Sequence, residues 1–351
     1  MATFNVSLGR KGPGLLARDL ARGGDDQINA VVGIIGQVRP DILVLNDFDF
    51  DHGQVALGLL AQQIAVVGPS YPHLFSLRPN AGMASGVDLN GDGRLGGPAD
   101  AQGFGGFSGR QGMAVLSRFP IDTGRVRDFS ALLWKDLPGA VLPTLNGKIF
   151  PSQAAIDVQR LSYKGHWDIP VRLPNDKTLH LLVSHTVPPV FDGAEDQNGR
   201  RNRDEIRFWS LYLDGVLIDG MQFEKDASFI ILGDLNADPL DGEGSKQAIG
   251  DLLEHPRVRD VKPASKGATA ASVAQGGGNK TQLGDPSFDT VDWNESRTPG
   301  NMRVDYVLPS VDLVVTGAGV FWPAPGEVGY EFVGSNGDLG SHHRLVWIDI
   351  E

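Results

Sequence analysis

The chain has 351 residues and a formal net charge of −12, with 41% hydrophobic and 21% charged residues. This composition is typical of a globular protein with a sizeable core, and no apolar run approaches the roughly 18 residues that a membrane-spanning helix needs. Cysteine is absent, which excludes disulfides, thiolate metal sites and a cysteine nucleophile. The acidic charge disfavours a passive nucleic-acid-binding module, because such a surface repels phosphate backbones.

Short apolar or alternating runs predict eight β-strands, and helical periodicity predicts helices at 26–38 and 203–220, with a weaker one at 54–65. The predicted strands cover residues 2–8, 41–46, 112–117, 178–184, 228–233, 303–308, 313–320 and 344–350. Strands interspersed with helices indicate an α/β or α+β protein. No linker is marked by a change of composition, so we expect one domain over 1–351. Its irregular insertions are expected at about 79–111, 130–170, 186–202 and 260–300.

The most specific motif is Gly233-Asp234-Leu235-Asn236, at the end of an apolar predicted strand. Gly233 would let the backbone approach a ligand closely. Asp234 and Asn236 alternate with Leu235, so both side chains can point to the same side. A carboxylate and an amide together can hold a hard cation or orient a water nucleophile. The alternative, an Asx turn before Pro239, is the less favoured interpretation.

Three further polar residues, Asn5, Asp47 and Asp305, interrupt or end predicted strands. Ligands in layered α/β proteins collect where strand ends meet loops. A buried carboxylate such as Asp47 requires a cation or a basic partner, because an unpaired buried charge is costly. A satisfied core amide for Asn5 and a turn aspartate for Asp47 remain open as structural alternatives.

Histidines occupy two more strand ends. His185 follows the strand at 178–184, and the pair His342 and His343 precedes the last strand. Histidine can donate a proton to a phosphoryl oxygen or a leaving group near neutral pH. One such histidine is usually structural, but two of them among four carboxylate or amide strand ends favour an active site. The segment 166–168 (His-Trp-Asp) is a weaker candidate for the rim of that site.

The segment that contains Asp88, Asn90 and Asp92 resembles the opening of a calcium-binding loop, since oxygen side chains alternate and Gly93 follows. The acidic residue expected to close such a loop is replaced by Ala99. A structural Ca²⁺ site and a solvated turn are therefore equally supported.

A basic cluster at 200–203 precedes the second predicted helix. Arg201 and Asn202 within it are candidates to contact a substrate phosphate, because guanidinium groups bind phosphate in a bidentate manner. The alternative is that these residues begin the helix and form surface ion pairs with the acidic residues that follow.

Taken in chain order, these motifs resemble the endonuclease/exonuclease/phosphatase superfamily, the group that includes DNase I, and in particular its secreted bacterial members. The matching positions are Asn5, Asp47, His185, the motif Gly233 to Asn236, Asp305 and the terminal motif Ser341 to His343. The chain departs from the family pattern at three positions. Asp47 replaces a glutamate, His342 replaces an aspartate, and Gln111 stands where many relatives have tyrosine.

The resemblance implies a four-layer α/β sandwich of two packed mixed β-sheets flanked by helices. It also implies hydrolysis of phosphoesters by a metal-activated water, with Mg²⁺ or Mn²⁺ held by Asn5, Asp47 and Asp305. Asp234 would orient or deprotonate the water and Asn236 would place the phosphate. His185 and His343 would stabilise the transition state or protonate the leaving group. His342 would have a supporting role.

Other functions stay open: a DNase I-like nuclease, a degenerate member that binds a phosphorylated ligand without turnover, and a less favoured sphingomyelinase-like lipid phosphodiesterase. The acidic charge and the lack of a long basic run favour a small phosphoester over duplex DNA. We expect a monomer without a membrane span. The resemblance points to an extracellular or periplasmic location, although the chain shows no signal-peptide pattern.

Overall fold

A computed structural model describes residues 1–174, 177–293, 299–334 and 339–351. The strands in these ranges are β1 (Ala2–Leu8), β2 (Ile42–Phe48), β3 (His73–Phe75), β4 (Gly112–Ser117), β5 (Arg127–Asp128), β6 (Thr144–Leu145), β7 (Lys148–Ile149), β8 (His166–Arg172), β9 (Thr178–His185), β10 (Phe229–Asp234), β11 (Asp305–Pro309), β12 (Val315–Val320) and β13 (Val346–Ile350). The α-helices are α1 (Leu15–Arg22), α2 (Asp26–Val38), α3 (Val55–Val67), α4 (Gln153–Val158), α5 (Gln197–Leu213), α6 (Lys246–Leu253), α7 (Lys266–Gln275) and α8 (Tyr330–Val333). Among the described residues, no helix has the length and apolar composition to cross a membrane.

Two mixed sheets form the centre of the fold. The first has the strand order β12-β13-β1-β2-β4-β3, and its central strands β1 and β2 are parallel. The second has the order β11-β10-β9-β8-β5, with β9 and β10 parallel. The other strand pairs in both sheets are antiparallel. Strands β6 and β7 form a separate hairpin.

Alternating side chains on the central strands separate the apolar core into layers. On β2, Leu43 packs in a cluster with α1, α2 and α3, whereas Val44 packs between the two sheets. On β10, Ile231 packs against α5 and α6, whereas Leu232 packs between the sheets. Successive strand residues point to opposite faces, so each central strand contributes to two layers. The predicted four-layer sandwich of two mixed sheets flanked by helices is confirmed.

The predicted strands and helices agree in position with elements of the structure, but several elements were not predicted, among them α1, α6 and β3. Helix α5 begins at Gln197, before the predicted position 203. It ends at Leu213, before the predicted position 220, because the left-handed residue Gly215 follows its last turn. Helix α7 lies inside the segment 260–300 that we expected to be irregular. Strand β8 begins inside the expected insertion 130–170, where Asp168 and Pro170 interrupt the apolar pattern of a central strand.

Strand directions bring the polar strand ends to one edge of the sandwich. His185 pairs with Asp234 at the ends of the parallel strands β9 and β10, and Asp305 begins the antiparallel neighbour β11 beside Asp234. From the other sheet, Asn5 on β1 donates a hydrogen bond to Asp234. The topology therefore places residues from both sheets in one site.

Candidate active site

Asp234 is the centre of a polar cluster that joins the two sheets. Its carboxylate accepts hydrogen bonds from Asn5 Nδ2 at 3.0 Å and from the backbone N–H of Asn236 at 3.0 Å. His185 Nε2 lies 3.4 Å and His343 Nδ1 3.9 Å from Asp234 Oδ2. One carboxylate is thus in contact with two imidazoles and an amide from widely separated parts of the chain.

Asp47, on β2, lies on the other side of His185. Its Oδ1 is 3.6 Å from His185 Nδ1 and 3.6 Å from Lys164 Nζ, and its Oδ2 accepts a hydrogen bond from Gln111 Nε2 at 3.2 Å. Within the described residues, the buried Oδ1 accepts no hydrogen bond. A buried carboxylate oxygen without a donor is available to a ligand.

Asp305 contacts the imidazole ring of His343. Its Oδ2 lies 2.8 Å from His343 Nδ1 and accepts a hydrogen bond from Thr290 Oγ1 at 2.9 Å. The other oxygen, Oδ1, is buried and has no hydrogen-bond partner among the described residues. A carboxylate in this position fixes the imidazole ring and favours its protonated form.

Burial and neighbouring charges separate the pKa values of these groups. Burial raises the pKa of Asp234 to about 7, and the charge of Asp305 adds to that rise. Burial alone would lower the pKa of His343, but Asp305 and Asp234 outweigh it and raise the pKa to about 9. Burial lowers the pKa of His185 to about 3, although Asp47 opposes the change. Near neutral pH, His343 is therefore a cation, His185 is neutral and Asp234 titrates.

Gly233 sets the position of Asp234 through strand packing. Its φ is 152°, and a Cβ atom at this position would lie 1.8 Å from the carbonyl oxygen of Ser184 on β9. Glycine is thus required by the close approach of two parallel strands. The sequence interpretation, that Gly233 admits a ligand to the backbone, assigned the close contact to the wrong partner.

The cluster lines a cavity of about 550 Å³, a size that suits a small molecule. Polar residues form one part of its wall, and Phe191, Trp293 and Met302 contribute an apolar part. Phe191 is 91% exposed. The cavity can therefore hold a charged group at the carboxylates and histidines while a less polar group contacts the aromatic wall.

Comparisons with known proteins agree with this geometry. The profile of the endonuclease/exonuclease/phosphatase family matches residues 2–335. None of the curated proteins compared matches the chain. The chain belongs to the endonuclease/exonuclease/phosphatase family. Members of this family hydrolyse phosphoester bonds.

Solved structures of the same family share the fold. An endonuclease/exonuclease/phosphatase from Beutenbergia cavernae aligns with a TM-score of 0.54 at 17% identity, over 100% of this chain and 70% of that chain. An endonuclease/exonuclease/phosphatase family protein from Leptotrichia buccalis gives a TM-score of 0.53 at 14% identity, over 100% of this chain and 98% of that chain.

In this family member, six of the residues singled out from the sequence line the cavity together: Asn5, Asp47, His185, Asp234, Asn236 and His343. The side-chain amide nitrogen of Asn236 donates a hydrogen bond to the carbonyl of Thr186 at 2.9 Å, and this bond fixes the orientation of the amide group. The remaining predicted metal residue, Asp305, reaches the cluster through its contact with His343.

Other predicted residues lie away from this cavity. Arg201 donates to backbone carbonyls, among them that of Leu161 at 2.8 Å, and Asn202 donates to Thr186 Oγ1 and to two carbonyls. His342 is exposed, and its Nδ1 lies 3.0 Å from the carbonyl oxygen of Asp292. None of the three lines this cavity.

The loop with the calcium-like pattern is also separate from the cavity. Both carboxylate oxygens of Asp88 accept backbone N–H groups of Gly91 and Gly93, while Asn90 and Asp92 accept N–H groups two residues ahead. Within the described ranges, the one cluster of three closely spaced histidine and carboxylate ligand atoms is Asp234, Asp305 and His343, outside this loop.

Lys164 is a cavity residue that the sequence interpretation missed. It lies two residues before β8, inside the segment that we expected to be irregular. The rim candidates His166 and Asp168 are instead buried and bonded elsewhere, to Ser162 and His180 respectively. Recognition of β8 as a strand would have placed Lys164 at the same sheet edge as His185.

Proposed function

We propose that this chain is a metal-dependent phosphoesterase that acts on small phosphoesters. Water attacks phosphorus while its proton passes to the carboxylate of Asp234. The bond between phosphorus and the leaving oxygen breaks, and that oxygen takes a proton from the imidazolium of His343. Neutral His185 contacts Asp234 and helps to hold the reacting groups in place, and Asn236 helps to place the phosphate.

The observation that carries this proposal is the contact of Asp234 with two histidines of opposite pKa shift. A base that titrates near pH 7 lies 3.9 Å from an acid whose pKa is raised to about 9. Such a separation lets one site supply a base and an acid at the same pH. Asp305 holds the imidazole of His343, so we propose that it positions the acid.

The residues present fit a divalent cation. Asp47 and Asp305 each offer a buried carboxylate oxygen without a hydrogen-bond partner among the described residues. We propose that Asp47, Asn5 and Asp305 hold Mg²⁺ or Mn²⁺. The cation would neutralise charge on the phosphoryl group and activate water.

The test is hydrolysis of bis-p-nitrophenyl phosphate and p-nitrophenyl phosphate with Mg²⁺ or Mn²⁺. Asp234→Asn and His343→Ala should each reduce kcat/KM by at least about 10², because each removes a proton-transfer step. His255→Ala is the matched control, since His255 pairs with Asp214 away from the cavity. Near-normal turnover in both site variants would refute the mechanism. Phosphate binding without any turnover of wild-type protein would instead favour a binding protein.

Two further assignments stay predictions. Ca²⁺ binding by Asp88, Asn90 and Asp92 is one, and the extracellular or periplasmic location is the other. Neither is needed for the proposed reaction.

A further inference from the structure

Lys164 is a buried cation inside the catalytic cavity. Its side chain is 1% exposed. Among the described residues, Asp47 is the one acidic side chain within ion-pair distance, with Nζ 3.6 Å from Oδ1. Nζ also lies 4.3 Å from the centre of the Tyr163 ring, which stabilises a positive charge on its face. An ammonium group has three N–H donors, so this environment leaves donors for a ligand.

The backbone around Lys164 is held on both sides. Buried Glu205 accepts the N–H of Tyr163 at 2.6 Å and that of Val187 at 2.7 Å, which ties the segment before β8 to the segment after β9. The carbonyl of Lys164 accepts the N–H of Asn80 at 2.9 Å. The lysine therefore enters the cavity from a fixed backbone, although the segment has no regular secondary structure.

The position of Lys164 allows its ammonium group to contact a ligand as well as Asp47. Its Nζ lies 3.6 Å from Oδ1 of Asp47 rather than at hydrogen-bond distance. Lys164 also lines the cavity, so the N–H donors of its ammonium group can reach an anionic ligand there.

We propose that Lys164 is a catalytic residue whose ammonium binds a non-bridging oxygen of the substrate phosphoryl group. This inference rests on the proposed function and assigns to the protein itself a fixed cation for the phosphoryl charge. Lys164 and His343 would stabilise the charge that develops in the transition state, each by donating a hydrogen bond to an oxygen.

The experiment compares the wild-type chain with Lys164→Met and Lys164→Arg. Inorganic phosphate binding is measured by titration calorimetry, both with Mg²⁺ and in chelator, and turnover is measured with bis-p-nitrophenyl phosphate. Lys135→Met is the control, because Lys135 pairs with Asp157 at the surface. We expect Lys164→Met to weaken phosphate binding by about 10- to 100-fold in both conditions, and to lower kcat by on the order of 10². Lys164→Arg should retain phosphate binding within several-fold.

A measurement on wild-type protein covers the case in which the variants do not fold. Acetylation of each lysine by an N-hydroxysuccinimide ester is followed by mass spectrometry in chelator, with and without inorganic phosphate. Phosphate should protect Lys164 and leave Lys135 unchanged.

The outcomes separate this inference from the proposed function. If the wild-type chain hydrolyses no phosphoester but phosphate still protects Lys164, the proposed function fails and the phosphate contact stands. If folded Lys164→Met binds phosphate as wild type does and Mg²⁺ more tightly, Lys164 serves only to neutralise Asp47, and the inference is overturned. Equal acetylation of Lys164 with and without phosphate would overturn it as well.

Discussion

At the scale of single residues, the site depends on different environments for similar side chains. His185 and His343 both contact Asp234, yet burial keeps the first neutral, whereas two carboxylates keep the second charged. The difference lies in Asp305, whose Oδ2 is 2.8 Å from Nδ1 of His343. A histidine with a carboxylate partner can donate a proton at neutral pH, and one without a comparable partner cannot.

This separation of pKa values predicts a bell-shaped pH profile. Asp234 must be ionised to accept a proton, so kcat/KM should rise as the pH increases through about 7. His343 must be protonated to donate one, so kcat/KM should fall as the pH passes about 9. Because the two groups are in contact, the apparent pKa values belong to the pair. The profile is measured with a small diester at a saturating metal concentration.

The assignment of the alkaline limb is checked with His343→Asn. This variant should lose activity overall and also lose the fall above about pH 9, while the rise moves to higher pH because the charge of His343 lowers the pKa of Asp234. An alkaline limb of unchanged midpoint in His343→Asn would show that another group titrates there.

At the scale of elements, the geometry of the site follows from how β9 and β10 pack. His185 and Asp234 are register partners at the ends of these two parallel strands. The strands approach so closely at Gly233 that a side chain would overlap the carbonyl of Ser184. The pair of His185 and Asp234 is therefore positioned by strand packing, and a change at Gly233 should disturb both stability and activity.

We expect Gly233→Ala to lower the free energy of unfolding by at least about 2 kcal/mol, because the added Cβ forces two central strands apart. Gly250→Ala is the control. Gly250 lies in α6, and a methyl group on its Cα would meet open space, so alanine there should raise stability by about 0.5–1 kcal/mol. Urea denaturation measures both values. Equal stability of Gly233→Ala and wild type would contradict the packing argument.

The loop at 88–93 gives a second prediction at this scale. If Asp88, Asn90 and Asp92 bind Ca²⁺, chelation should lower the melting temperature, and Mg²⁺ should not fully restore it. Asp92→Ala should remove that difference and leave catalysis largely intact, because the loop does not line the catalytic cavity. A melting temperature of Asp92→Ala that still depends on Ca²⁺ as in wild type would refute the loop assignment.

At the scale of the whole molecule, net charge bears on substrate choice. The chain has 31 basic and 43 acidic residues. Affinity for duplex DNA comes largely from lysine and arginine side chains that neutralise phosphates. The buried Arg201 is bonded to backbone carbonyls and does not extend a basic surface. A cavity of about 550 Å³ likewise suits a small phosphoester.

We therefore expect higher catalytic efficiency on a small diester or monoester than on duplex DNA. The comparison is made at low ionic strength with the best metal, conditions that strengthen DNA binding and so favour the opposing result. If duplex cleavage is still the most efficient reaction, the protein is a nuclease and the small-substrate proposal is wrong.

The sequence by itself indicated eight of the strands and the polar residues at their ends. A strand buried on both faces must be apolar, so a charged residue at its end, such as Asp47 or Asp234, stands out without any knowledge of neighbours. The same local signal located His185 and His343. The sandwich of two sheets was inferred from the family resemblance. That resemblance rests on these positions and on their order along the chain.

Only the tertiary structure decided which of these residues are partners and which loop residues join them. Asp305 contacts His343 across 38 positions of sequence, and Lys164 reaches Asp47 across more than a hundred. Arg201 resembled a phosphate ligand in sequence, yet its guanidinium bonds to carbonyls of distant loops. Such contacts depend on how irregular segments fold over the sheet edge. No periodicity in the sequence predicts the course of these segments.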